Sequence, residues 1–168
     1  MDFRQVGDLL GAERRAKDPR FADLAVRSAF GRYYYAAFHL VRSTLRTMDP
    51  ALDQPKHDQI PGHLRRMVLR KIYRQIDRQR MQDVLTSQVA KALRVEAKIS
   101  VNKLADFFEF ARPIRTAADY DLHISVESVR TDPTLIGVSL AEAKGWPTHV
   151  EEKLNSVRRL CQKIRLVR

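Results

Sequence analysis

The sequence has 168 residues, with 31 Lys plus Arg against 20 Asp plus Glu and a formal charge of +11. That length suits one domain spanning residues 1–168, and 44% hydrophobic with 30% charged residues excludes a disordered chain. The lone Cys161 cannot close an internal disulfide, no apolar run approaches the roughly 20 residues of a membrane span, and no apolar leader core opens the chain, so a cytoplasmic protein with no membrane partner is expected.

Helical periodicity governs the chain from its start. Phe3, Val6, Leu9 and Leu10 recur at helical spacing before Asp18-Pro19 sets up a turn. From Phe21 to about Met48 there is no Pro and one Gly, Gly31. Leu24, Ala25, Phe30, Tyr34, Phe38, Val41 and Leu45 predict one long helix there, ended by Asp49-Pro50. ALDQPKHDQIPG reads as a loop. Leu64, Val68, Ile72 and Ile76, with Met67 alongside, form the stripe of a third helix. A fourth runs from about Asp83 to Phe110, apolar at Val84, Leu85, Val89, Leu93, Ala97, Leu104, Phe107 and Phe108, with a break allowed at Lys98 to Asn102. Arg112-Pro113 interrupts or restarts a helix carrying RPIRTAADYDLH, and HISVESVRTDPTLIGV reads as a loop. Ser139 caps a short helix to Lys144, Gly145-Trp146-Pro147 breaks or kinks it, and a last helix buries Val150, Leu154, Val157, Cys161 and Ile164. The expected fold is all-α, an antiparallel up-and-down helical bundle with a four-helix core and additional helices.

The charge is concentrated in two windows. His63 to Arg80 holds seven basic residues and one acid, and Lys153 to Arg168 holds six basic residues and no acid. Each window is +6, so the remainder of the chain is −1. Arg66, Arg70, Arg74 and Arg78 recur every four residues, lining up on one helix face, and Arg158, Arg159 and Lys163 stand on the last helix. Arginine makes up 22 of the 31 basic residues, and its planar fork suits phosphate better than an ammonium does. The windows point to a nucleic-acid partner; a solvated basic face, or a surface for an acidic protein, is the alternative.

Catalytic signatures are sparse. There is no G-x-x-x-x-G-K-[ST], no G-x-S-x-G and no H-E-x-x-H, and one Cys among scattered His gives no zinc spacing. No metal and no cofactor are expected. Three clusters remain. In GRYYYAAFH, Gly31 to His39, three consecutive tyrosines on a helix point three ways, so Tyr33, Tyr34 and Tyr35 are candidates for an interface as well as for the core. In PKHDQI, His57 is either a polar loop residue only, or a phosphate contact or cap of the next helix. In RTAADYDLH, Arg115 and Asp119 are spaced to pair on a helix; alternatively Arg115 clamps a phosphate, Tyr120 donates a hydrogen bond and His123 moves a proton.

The order YYAAFH, then K-H-x-x-I, then R-x-x-A-D-Y-D, then S-L-A-E-A before a final helix resembles the HEPN superfamily, in particular the small bacterial branch found beside a minimal nucleotidyltransferase. The resemblance covers about Leu24 to Leu160. It implies a dimeric RNA-binding protein, and for active members a metal-independent endoribonuclease, acting as the toxin or defence effector of a pair with an antitoxin or nucleotidyltransferase partner. In that chemistry the ribose 2′-OH attacks the neighbouring phosphate, a histidine moves the proton, and an arginine stabilises the phosphorane-like charge at a homodimer cleft. The corresponding residues here are Arg115, Asp119, Tyr120 and His123. Seven residues separate Arg115 from His123, where the family pattern has four to six. The imidazole is then that of His123 swung back across a helix end, or that of His57 or His39, or the chain binds RNA without cutting it.

Overall fold

The computed structural model describes residues 2–49 and 56–166. The predicted stop at Pro50 and the loop residues 51–55 lie outside this range. The fold is all-α, as the periodicity predicts. In chain order come α1 (Phe3–Ala12), a 3-10 turn (Glu13–Arg15), α2 (Pro19–Met48), α3 (Ile60–His63), a π-helical turn (Leu64–Val68), α4 (Leu69–Met81), α5 (Ser87–Tyr120), β1 (Thr134–Leu135), β2 (Val138–Ser139) and α6 (Leu140–Lys163). Among the described residues, no helix is long and apolar enough to cross a membrane.

The chain divides into two compact units. Unit 1 comprises Met1–Leu40 with Phe110–His149, and unit 2 comprises Val41–Glu109 with Val150–Arg168. In unit 1, α1 begins with a capping box: Asp2 accepts from the Gln5 amide at 2.8 Å, and Gln5 accepts from the Asp2 amide at 3.0 Å. Two glycines one turn apart, Gly7 and Gly11, then let α1 approach α2. A Cβ on Gly7 would stand 2.7 Å from the Tyr33 ring. Val26, Phe30, Tyr34, Phe38, Ile114 and Trp146 fill the interior of this unit. In unit 2, Leu64, Val68, Ile72 and Ile76 are all buried, as their stripe requires, and so are Leu93, Ala97, Leu104, Phe108, Leu154, Val157, Cys161 and Ile164. Leu24, Val84 and Val89, expected on apolar faces, are exposed. Val84 and Leu85 precede α5 in a turn rather than opening the helix.

Three predicted interruptions do not occur. α5 is one helix through both Lys98–Asn102 and Arg112-Pro113, with Ala97 just before the first and Val101 within it fully buried. Pro113 removes one hydrogen bond from α5, and burial of Ala111, Ile114 and Ala117 around it holds the helix. α6 likewise runs through Gly145-Trp146-Pro147, because Trp146 is buried against Phe30 and Phe110, each with its ring centroid 6.4 Å away. The segment read as a loop contains a hairpin, with Thr134 opposite Ser139 and Leu135 opposite Val138.

The tip of that hairpin, Ile136-Gly137, has both residues at positive φ (+51° and +72°), the geometry of a two-residue type I′ turn. A β-branched side chain is strained there, and Ile136 is 50% exposed, so packing returns little of that cost. Ile136→Asn, a residue that tolerates this conformation, is expected to raise stability by about 1 kcal/mol in urea denaturation. Unchanged or lower stability would mean that Ile136 makes a contact worth more than its strain. α4 ends similarly, in a Schellman motif with Asp83 at φ +55°. Val84 N–H donates to the Gln79 carbonyl at 2.9 Å, and Asp83 N–H donates to that of Arg80 at 3.2 Å.

Candidate nucleic-acid interface

The basic window of unit 2 rests on α4. Ile72, Ile76 and Gln79 turn into the unit, and the Gln79 amide donates to the Ile164 carbonyl at 2.8 Å, fixing α4 against the end of α6. Arg70, Arg74 and Arg78 point outward from this anchored face. Steps of four residues separate their Cα atoms by about 6 Å along the axis. With Asp49, Met67, Lys71, Gln75 and Leu166 they line an open groove of about 440 Å³.

Pairing separates this row from the other cations. Lys71 is bound by Asp49, Arg65 by Asp106 and Glu109, Arg94 by Asp77 at 2.5 Å, and Lys163 by Glu96 at 3.3 Å. Arg70, Arg74 and Arg78 are exposed and make no ion pair or hydrogen bond among the described residues. Three adjacent guanidinium groups that no acid among the described residues pairs with, the groove's Asp49 being taken by Lys71, repel one another, and a polyanion relieves that repulsion.

Arg66, expected to start this row, does not line the groove. It lies in the π turn, whose wider winding alters the angular step to Arg70, and its Nε donates to the Gly62 carbonyl at 3.4 Å. The second window is more committed internally. Arg158 is half-buried and donates to Thr44 Oγ1 at 2.6 Å and Asn155 Oδ1 at 3.1 Å, while Arg159 is exposed and donates to its own helix at the Asn155 carbonyl, 3.3 Å away.

Unit 1 holds the RTAADYDLH segment. Arg115 Nε lies 2.8 Å from Asp119 Oδ2, an ion pair whose angle does not make a true hydrogen bond. Nη2 donates to the hydroxyls of Tyr35 and, at 3.2 Å, Tyr120. The guanidinium carbon lies over both tyrosine rings, 5.1 Å from the Tyr35 centroid and 5.0 Å from that of Tyr120. Burial opposes the Arg115 charge, but the Tyr120 hydrogen bond and the attraction of Asp119 outweigh it and raise the pKa above its usual value. Gly31 makes room for this arrangement, since a Cβ there would lie 2.7 Å from Asp119 Oδ1.

Arg27, which sequence reasoning missed, anchors the same segment. It is 3% exposed and donates through Nε to Asp23 at 2.8 Å, through Nη1 to the Ala117 and Asp121 carbonyls at 3.2 Å each, and through Nη2 to the Ile124 carbonyl. Its signal in the sequence is only a lone charge in a mostly apolar stretch, LAVRSAF.

The histidines do not join Arg115. α5 ends at Tyr120, and His123 is exposed beyond it, its backbone N–H donating to Asp121 Oδ1 at 3.1 Å. Among the described residues, no hydrogen bond, ion pair or ring contact links His123 to Arg115. His39 stacks on Phe3 instead, and His57 lies in the turn before α3. Of the three tyrosines expected at an interface, Tyr33 is 2% exposed and Tyr34 fully buried, so neither offers surface to a second copy. Tyr33 packs into the glycine notch of α1 and donates to Asp8 at 2.8 Å, and only Tyr35 of the run reaches the surface.

Other chemistry has little footing. Burial pushes the Cys161 thiol up to about 12, so it is not a nucleophile near neutral pH. Among the described residues, no three His, Cys, Asp or Glu side chains group as a metal site would require. In comparisons with protein-family models, curated proteins and solved structures, nothing matches the chain.

Proposed function

We propose that the protein binds RNA, as a HEPN-type RNA-binding protein, with the α4 row as its main contact to phosphate. The observation that carries this reading is the set of three exposed arginines, one turn apart in a groove, without an acid partner among the described residues. That pattern argues for a polyanion, and the motif order adds RNA. The homodimer and the antitoxin or nucleotidyltransferase partner belong to the same reading. Fluorescence anisotropy with a labelled RNA oligonucleotide at several salt concentrations tests it. Affinity is expected to fall linearly on a log–log plot against salt. No binding at low salt, or binding indifferent to salt, overturns it.

Cleavage is a second reading, favoured by one specific observation. Asp119, Tyr35 and Tyr120 fix the orientation of Arg115, while its Nη1 makes no hydrogen bond among the described residues and remains able to meet a phosphate oxygen. Incubating the protein with mixed RNA in EDTA is expected to give products that Arg115→Ala abolishes, and His123→Ala tests whether that exposed histidine supplies the imidazole. Products that persist in both variants rule out this site, and no products from the wild type leave the protein as a binder only.

A further inference from the structure

Planar groups in unit 1 form a continuous series of contacts across three helices. Tyr120 stands at one end, with the Arg115 guanidinium over its ring, and the same guanidinium lies over the Tyr35 ring. Phe3 follows 5.8 Å from Tyr35 at an interplanar angle of 29°, and His39 follows 4.9 Å from Phe3 at 6°. Arg32 lies over Phe3, 5.9 Å from its centroid. The Tyr120 end of the series is open: Tyr120 is 70% exposed.

An aromatic residue this exposed, yet held on one face by a guanidinium and through its hydroxyl by a hydrogen bond, differs from a mobile surface side chain. Its rotamer freedom is already lost, so a planar ligand meeting the outer face pays little further ordering entropy. Asp119 balances the Arg115 charge, so the guanidinium orders Tyr120 without leaving an unpaired cation beside it. We propose that Tyr120 is a base-stacking platform on which an unpaired nucleobase of single-stranded RNA continues the series of planar groups. The proposal rests on the RNA-binding reading and adds a site for bases, separate in residues and in chemistry from the phosphate-binding row on α4. A duplex, whose bases are already stacked on one another, has none to offer Tyr120.

The test compares two strands of equal length, one of ordinary single-stranded RNA and one with the same ribose-phosphate backbone lacking bases, on the full chain at fixed salt. Tyr120→Ala is expected to weaken binding of the base-bearing strand about 5- to 150-fold and to leave the base-free strand unchanged. Tyr120→Phe keeps the ring but loses the hydrogen bond to Arg115, and is expected to bind the base-bearing strand more tightly than Tyr120→Ala does and to leave the base-free strand unchanged. A 2-aminopurine placed in the strand reports the stack directly, its fluorescence being quenched by the wild type and by Tyr120→Phe but not by Tyr120→Ala. Equal losses on both strands, or no loss on either, overturn the platform while leaving RNA binding intact. A change in sedimentation of the free Tyr120→Ala protein, with RNA affinity unaltered, makes Tyr120 a seam between copies and likewise overturns it. Failure of the wild type to bind either strand removes the RNA-binding reading and the platform with it.

Discussion

Arg27→Met is expected to lower stability by about 3 kcal/mol, a large share of the roughly 5–15 kcal/mol that a domain of this kind has in total. The last carbonyls of any helix lack intrahelical donors, and those at the end of α5 and in the turn after it are served by one side chain. The Arg27 fork reaches Ala117, Asp121 and Ile124 together from a position that is 3% exposed. Methionine replaces the apolar stem at similar length but offers no donor. The Ala117 carbonyl retains the Asp121 amide at 3.2 Å, whereas the Asp121 carbonyl keeps only a long contact to the Ile124 amide at 3.4 Å. Each under-served carbonyl, buried at Ala117 and part-buried at Asp121 and Ile124, costs about 1 kcal/mol, the low end for such groups, and Asp23 loses a charged partner as well. Arg27→Lys is expected to recover only part of the loss, since one ammonium cannot span three carbonyls in the plane of a fork. Urea denaturation gives the free energies, and hydrogen exchange is expected to quicken most over residues 117–124. A loss below about 0.5 kcal/mol, within the range of ordinary surface substitutions, would show that water serves these carbonyls and that Arg27 is not the anchor. Arg115, Tyr120 and His123 all lie in or beside this segment, so Arg27 also sets how firmly the candidate chemistry is held.

How far the sequence carried depends on the range of the interaction involved. The buried stripes were readable because helical periodicity is local: Leu64, Val68, Ile72 and Ile76, and Val150, Leu154, Val157, Cys161 and Ile164, are all buried as their spacing requires. The helix stops at Pro113 and at Gly145-Trp146-Pro147 were misread because propensity is a weak force beside the burial of Ile114 and of Trp146 between two phenylalanines. In the candidate site, the Arg115–Asp119 pair was legible as one turn of helix. The Tyr35 and Phe3 rings were not, since they arrive from α2 and α1. Gly31 was visible only as an isolated glycine in a long helix; its reason, the carboxylate of Asp119, lies 88 positions away in the chain. The same limit applies to charge. The α4 arginines could be placed on a face from their spacing, but which cations are neutralised depends on distant acids such as Asp106 and Glu109 against Arg65 and Glu96 against Lys163.

That distinction gives the second large effect. Replacing Arg70, Arg74 and Arg78 together with Gln is expected to flatten the salt dependence of RNA binding by about 2 in log–log slope, taking about 0.7 per phosphate contact on a single strand. Between about 50 and about 200 mM salt, a slope of 2 corresponds to roughly a twentyfold change in affinity, so the wild type should lose that much more than the variant over this interval. Folding is expected to be unaffected, because the three side chains are exposed and without internal partners among the described residues, and Gln is nearly as good a helix former as Arg. The matched control is Arg158→Gln, Arg159→Gln and Lys163→Gln, an equal loss of three charges. Those groups already serve Thr44, Asn155 and Glu96, so their removal is expected to change the slope by less than about 1 and to lower Tm instead. If both triple variants flatten the slope equally, binding responds to net charge alone and the α4 groove has no special standing. If only the α4 variant does, the absence of an acid partner, rather than the number of arginines, marks the surface that RNA occupies.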